Sequence, residues 1–208
     1  MKMQIKLVRE FGWMVLIAIA MLICAKANAQ VLPEYSAFPV SSIGLQLGTQ
    51  GAGIQGTWNF LPAFNARIGF NTVPGVTVQY NDRVLELDRT SVFLIADWQP
   101  EYGKSDWFAT KWFLSAGYAQ YFSNNLYRQG IGTTPDYTIY MSKSRPYFGT
   151  GLGNIHLWGR MGLRLDVGWF IPTSAPTSTY GDKAEKVSTG FNGLLPGLNA
   201  AGTIYIKF

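Results

Sequence analysis

NAAGTIYIKF (residues 199–208) alternates to its last residue: Ile204, Ile206 and Phe208 fall on one face, and Thr203, Tyr205 and Lys207 on the other. Successive side chains of a strand point to opposite faces, so this period of two predicts a strand with one apolar face. Terminal residues are poorly ordered unless tied down, yet here the pattern runs into a bare aromatic. A strand of this kind needs a pairing partner along its whole length.

Seven further stretches carry the same signature between turn-forming residues. IGLQLGT (43–49) sets Ile43, Leu45 and Leu47 against Gly44, Gln46 and Gly48. GIQGTWNF (53–60) opposes Ile54, Trp58 and Phe60 to Gln55, Thr57 and Asn59. FNARIGFN (64–71) opposes Phe64, Ala66, Ile68 and Phe70 to Asn65, Arg67, Gly69 and Asn71. TSVFLIADW (90–98) is less clean, with Val92, Leu94, Ala96 and Trp98 facing away from Ser91, Phe93, Ile95 and Asp97. KWFLSAGYAQYF (111–122) puts Trp112, Leu114, Ala116 and Tyr118 on one side, and SRPYFGTGLGN (144–154) is too glycine-rich to phase. RMGLRLDVGWF (160–170) is the clearest: Met161, Leu163, Leu165, Val167 and Trp169 oppose Arg160, Gly162, Arg164, Asp166 and Gly168.

Eight strands are therefore expected. Their connections are tight at 49–51 and 61–63, short at 155–159, moderate at 99–110, and long at 73–89, 123–143 and 172–196. Within the first long connection, residues 75–87 alternate about Asn81-Asp82, a hairpin turn signal. The third and fourth strands are thus expected to continue past the rest of the sheet despite Pro74. No internal repeat or domain boundary interrupts residues 30–208.

Residues 1–29 read as a cleaved signal peptide: Lys2, Lys6 and Arg9 precede an uncharged apolar run at 12–25, and Ala27-Asn28-Ala29 supplies the small-x-small cleavage site. The run falls short of the ~18–20 residues a spanning helix needs. The chain carries 17 basic and 12 acidic residues. Removing Lys2, Lys6, Arg9, Lys26 and Glu10 leaves 13 and 11, so the basic balance belongs largely to the leader and no nucleic-acid partner is expected. Cys24, the only cysteine, leaves with it, which excludes disulfides and thiol chemistry. Charged residues make up 14 % and aromatics 15 %, against about 25 % charged in soluble domains.

Three features turn the apolar faces outward into lipid rather than inward onto a core. The opposite faces hold Gly, Ser, Asn, Gln and Thr with single charges, where a solvated surface would carry many Lys and Glu. The strands have the roughly 9–11 residues a tilted strand needs to cross a bilayer. Trp58, Phe60, Phe64, Trp98, Trp107, Trp112, Trp158 and Phe208 gather at one end of the strands, with Trp169, Tyr118 and Tyr121 toward the other, in the manner of aromatic girdles.

The leader ending in Ala-Asn-Ala, the eight strands and the terminal Tyr205-Ile206-Lys207-Phe208 resemble the small bacterial outer-membrane β-barrel families of the outer-membrane protein A and W type. The resemblance covers residues 30–208. It implies an all-β, eight-stranded antiparallel up-and-down transmembrane barrel, with both termini periplasmic and the long loops extracellular. It implies that Tyr205, Ile206 and Phe208 form the signal read by the barrel-assembly machinery. The partners it implies are outer-membrane lipid and lipopolysaccharide, around a monomer.

In such a barrel the lumen side holds Gln55, Arg67, Asp97, Arg164, Asp166 and Lys207. An eight-stranded interior is just wide enough for side chains to fill, and isolated buried charges are costly. These residues are read as a structural ion-pair and hydrogen-bond plug, with a narrow path for small or hydrophobic solutes as the alternative. His156, the only histidine, sits in a short turn at the wrong end for lipid chemistry and has no Ser or acid partner by spacing. No enzyme, metal or cofactor is expected. Arg83, Glu86, Asp88, Tyr127, Arg128, Asp136, Tyr137, Tyr140, Asp182, Lys183, Glu185 and Lys186 are read as exposed loop residues.

Overall fold

The computed structural model describes residues 35–80, 83–130, 135–184 and 195–208. The expected signal peptide, the Asn81-Asp82 turn, Glu185 and Lys186 lie outside them. Where glycine and apolar residues alternate with polar ones, strands form: β1 (Ser41–Gly48), β2 (Gly51–Leu61), β3 (Phe64–Tyr80), β4 (Arg83–Trp98), β5 (Trp112–Arg128), β6 (Tyr137–Tyr140), β7 (Ser144–His156), β8 (Met161–Phe170), β9 (Thr177–Ser178) and β10 (Leu198–Lys207).

Eight of these close an antiparallel barrel. The order β4-β3-β2-β1-β10-β8-β7-β5 returns to its start through β4–β5, so the eight-stranded barrel itself has no open edge. The quoted C-terminal stretch makes the closure: Ser42 pairs with Lys207, Gly44 with Tyr205, Gln46 with Thr203 and Gly48 with Ala201. Phe208 N–H then donates to the Ser41 carbonyl at 3.0 Å. The two short strands add to the wall above the barrel, β6 on β5 and β9 on β6.

The rim is uneven. The β1–β2 turn is tight, pairing Gly48 with Gly51. The β3–β4 hairpin instead runs on to pair Tyr80 with Arg83, as the alternation of residues 75–87 predicts. A register shift between Val73 and Val76 absorbs the Pro74 break. The 123–143 connection is partly sheet, because β5 continues to Arg128 and β6 folds back on it. There Tyr137 and Ile139 are buried, with the partly buried Leu126 and Ala184 packed against them, which corrects the reading of Tyr137 as an exposed loop residue.

Exposure follows the predicted alternation. Leu45, Leu47, Ile54, Ile68, Leu94, Leu165, Val167, Ile204 and Ile206 are exposed on the outer face, while Gln46, Gln55, Asn71, Ser115 and Thr203 are buried inside. The inner face is not polar throughout. Phe93 and Ile95 turn inward and pack with Ala119, Tyr121, Tyr147 and Phe170 as an apolar layer across the lumen. Tyr121, expected near the outer girdle, is one of them, 1 % exposed, with its ring edge-on to Phe170 at 6.2 Å.

The glycines that defeat phasing of β7 have a steric reason. A Cβ on Gly149 would collide with the Tyr147 hydroxyl, one on Gly151 with the Phe113 ring, and one on Gly153 with the Ala37 carbonyl. Each makes room for a bulky group crossing an interior of fixed width.

Candidate functional site

The lumen charges form a closed four-membered ring. Arg67 Nε stands 3.1 Å from Asp97 Oδ2, and Arg67 Nη2 3.2 Å from Asp166 Oδ1. Arg164 Nη2 stands 2.9 Å from Asp97 Oδ1, and Arg164 Nε 3.0 Å from Asp166 Oδ2. Each carboxylate thus contacts both guanidiniums. The residues come from β3, β4 and β8, and all four are buried. Asp97 also accepts from Asn65 Nδ2 and Ser115 Oγ, each at 2.7 Å. Gln55 Oε1 accepts from Arg67 Nη1 at 3.5 Å. With two charges of each sign, every desolvated ion has a partner, as burial of charge requires.

Lys207 is not part of this ring. It reaches the mouth of the barrel, where its ammonium donates to Asn154 Oδ1 at 3.2 Å. It belongs instead to a second device that sequence reading missed. Ser36, Ala37 and Phe38, ahead of β1, fold into the terminus-bearing mouth and are at most 1 % exposed. Ala37 N–H donates to Gln99 Oε1 at 2.8 Å, and Gln99 Nε2 donates to the Tyr35 carbonyl at 2.7 Å. Asn154 Nδ2 donates to the Ser36 carbonyl at 2.9 Å. The Phe38 ring lies 5.6 Å from the Phe113 ring, tilted to it, and the Arg164 guanidinium lies 3.9 Å from the Phe113 ring centroid. The plug and the charge ring are therefore continuous through Phe113.

The outer aromatic belt is continuous on one side of the barrel. Trp58 and Phe60 lie 6.2 Å apart, Phe60 and Phe64 6.3 Å, and Phe64 stacks on Trp98 at 6.5 Å. Trp112 stacks on Phe108 at 5.6 Å and donates its Nε1–H to Thr150 Oγ1 at 2.8 Å. Phe208 is 68 % exposed at the same end, and Trp169 is exposed at the opposite end of β8. Of the C-terminal trio, Ile206 and Phe208 face outward, whereas the Tyr205 ring is buried in the lumen against Gly162.

Two further buried arginines, Arg89 and Arg145, lie on the loop side of the apolar layer. Arg89 closes the stretch read as a connection, and Arg145 sits in the strand that could not be phased, so neither was found as a lumen residue. At the loop end, an apolar recess of about 570 Å³ is lined by Leu47, Val73, Leu85, Leu87 and Leu126. It opens where the low β1–β2 turn meets the taller β3–β4–β5 wall. His156 is an exposed residue at the end of β7. Among the described residues no group of three His, Cys, Asp or Glu side chains is placed to hold a metal.

A closed eight-stranded antiparallel barrel, apolar outside and polar within, is thus the class that the fold and the lumen define. Its fold is shared with solved structures of Acinetobacter baumannii CarO, with a TM-score of 0.60, 19 % identity, and coverage of 82 % of this chain and 98 % of that one. Acinetobacter baumannii CarO2 aligns with a TM-score of 0.57 and 15 % identity over 81 % of this chain and 98 % of its own. No protein-family model and no curated protein matches the chain.

Proposed function

We propose that this chain is an integral protein of a bacterial outer membrane, a non-enzymatic monomer. In this reading the lumen is sealed and the loop-end wall is presented to the cell exterior. The apolar outer face favours lipid around the barrel, because water would not tolerate such an exposed belt and a bilayer requires it. The shared barrel fold of CarO agrees with this. The observation that carries the sealed lumen is the ring of Arg67, Asp97, Arg164 and Asp166, joined through the Phe113 ring to the Phe38 plug. Its partners would be membrane lipid and lipopolysaccharide, with the barrel-assembly machinery reading Tyr205, Ile206 and Phe208 during insertion. The termini would be periplasmic.

Fractionation of outer membranes, with slower or faster migration of unboiled protein on a gel, tests the location; recovery of soluble periplasmic protein overturns it. Planar bilayers test the seal. The expected result is no steady conductance from the full chain. Steady conductance that disappears on changing Arg67 or Arg164 overturns the sealed reading.

The alternative, a narrow path for small or hydrophobic solutes, is favoured by two observations. One is the apolar recess at the loop end. The other is a row of buried polar atoms without a partner among the described residues, Gln46 Oε1, Asn71 Oδ1, Asn199 Oδ1 and Thr203 Oγ1. They come from β1, β3 and β10, and Thr203 is the cross-strand partner of Arg164 in the charge ring. Uptake of an apolar dye into vesicles only when the protein is present would support that reading. Lipid-modifying activity of the purified protein, lost in His156→Ala, would overturn the non-enzymatic one.

A further inference from the structure

The buried charges of the lumen do not balance. Arg67, Arg89, Arg145 and Arg164 are buried, but the buried carboxylates among the described residues are only Asp97 and Asp166. Both carboxylates are consumed by Arg67 and Arg164 in the ring. Arg89 and Arg145, 3 % and 2 % exposed, have no carboxylate within ion-pair distance among the described residues.

Their hydrogen-bond partners are neutral. Arg89 Nε donates to Asn124 Oδ1 at 3.1 Å and its Nη1 to Gln50 Oε1 at 3.0 Å. Arg145 Nε donates to the Ser142 carbonyl and hydroxyl at 3.2 and 3.0 Å, and its Nη1 to the Pro196 carbonyl at 3.3 Å. Both guanidiniums stand over the Tyr121 ring, at 5.8 and 5.4 Å from its centroid. The Tyr121 hydroxyl is itself held by donation to Gln50 Oε1 at 2.9 Å. These contacts use Nε and Nη1 of each arginine. Nη2 of each, with two N–H groups, has no hydrogen-bond partner among the described residues.

Neutral acceptors satisfy donors but cancel no charge. Two like charges desolvated beside one ring are unfavourable unless an anion joins them. Two guanidiniums over one ring, each with an Nη2 that has no partner among the described residues, supply the charge-assisted donors that an oxyanion accepts. We propose that Arg89 and Arg145 form a binding site for the carboxylate or phosphate group of a molecule that enters from the loop end of the barrel. Tyr121, Gln50, Asn124 and Ser142 position the two arginines. The apolar layer of Phe93, Ile95, Tyr147 and Phe170 is the floor that separates the site from the neutral ring below. The site requires no conduction through the barrel, so it stands or falls independently of whether the lumen is sealed.

The test is a titration of the full-length barrel in detergent, followed by the side-chain Nε–H signals of its arginines. The probes are acetate, inorganic phosphate and a short-chain phosphatidic acid, with chloride at matched ionic strength as control. The expected result is saturable movement of the Arg89 and Arg145 signals with at least one of the oxyanion probes. The Arg67 and Arg164 signals, already held by Asp97 and Asp166, stay in place. Saturation with the free anions identifies a solute as the source, and saturation with the phospholipid alone identifies a lipid; either supports the site. Arg145→Gln and Arg89→Gln, checked for heat-modifiable migration, are each expected to weaken binding at least tenfold. The proposal is overturned if no oxyanion saturates the wild-type signals beyond the chloride control. It is equally overturned if folded variants bind as well as the wild type.

Discussion

Arg164 reaches Asp97 across the lumen at 2.9 Å while its Nε holds Asp166, two residues along its own strand, at 3.0 Å. One guanidinium therefore ties β8 to β4 through the barrel interior. Strand pairing alone does not join these two strands.

Asp97→Ala is the sharpest probe of that tie. It leaves two arginines facing one carboxylate and also removes the acceptor of Asn65 Nδ2 and of the Ser115 hydroxyl proton. Breaking a buried pair by removing one partner costs about 3–5 kcal/mol. The expected outcome is a lower urea midpoint in lipid vesicles, with loss of the heat-modifiable band at a lower temperature. An unchanged midpoint would mean that the ring contributes nothing to holding the barrel together.

Gly153→Val tests the plug without touching the ring. A Cβ at this position meets the Ala37 carbonyl oxygen, backbone that has no rotamer to yield. Residues 36–38 are expected to be displaced while the barrel stays closed. A cysteine placed at Ser36 should then label rapidly in Gly153→Val and slowly in the parent. Equal labelling would show that the mouth accommodates the side chain with the plug in place.

Ile204→Arg tests which side of the wall meets lipid. Ile204 is 48 % exposed on the outer face, opposite Leu45 and Leu163. A lipid-facing arginine near the middle of a barrel wall costs about 2–4 kcal/mol. Folding free energy measured in vesicles should fall by that order. A change within experimental error would argue that this face meets water.

The loop end carries a pH-dependent contact. Asp136 accepts from the Tyr127 hydroxyl at 2.5 Å and from Gly130 N–H at 2.9 Å. These hydrogen bonds hold its carboxyl below the usual aspartate range. A depressed carboxylate stabilises its contact above the unfolded value near 3.9 and loses that stabilisation as pH falls through the lower folded value. Exchange of the Gly130 amide is expected to be slow relative to Asp136→Ala at neutral pH. The two should converge at strongly acidic pH, and a difference that persists there would contradict the assignment.

Alternation marked the eight barrel strands, the two faces of each but β7, and the extended β3–β4 hairpin, while face composition, strand length and the placement of the aromatics turned the apolar faces outward. It did so because a period of two is a local property of each strand. Residue type marked Arg67, Asp97, Arg164 and Asp166 as inward charges, since charge on an otherwise apolar-and-small strand has only the lumen to occupy. Only the tertiary structure decided that the four close into one ring, because Asp97 and Arg164 lie on strands that never pair. The same holds for the Phe38 plug, whose contacts span from residue 36 to Asn154. It holds too for Arg89 and Arg145, which converge on Tyr121 from β4 and β7. Alternation already set Phe93 and Ile95 on the Asp97 face, but only barrel closure packed them with Ala119, Tyr121, Tyr147 and Phe170 into a layer across the lumen.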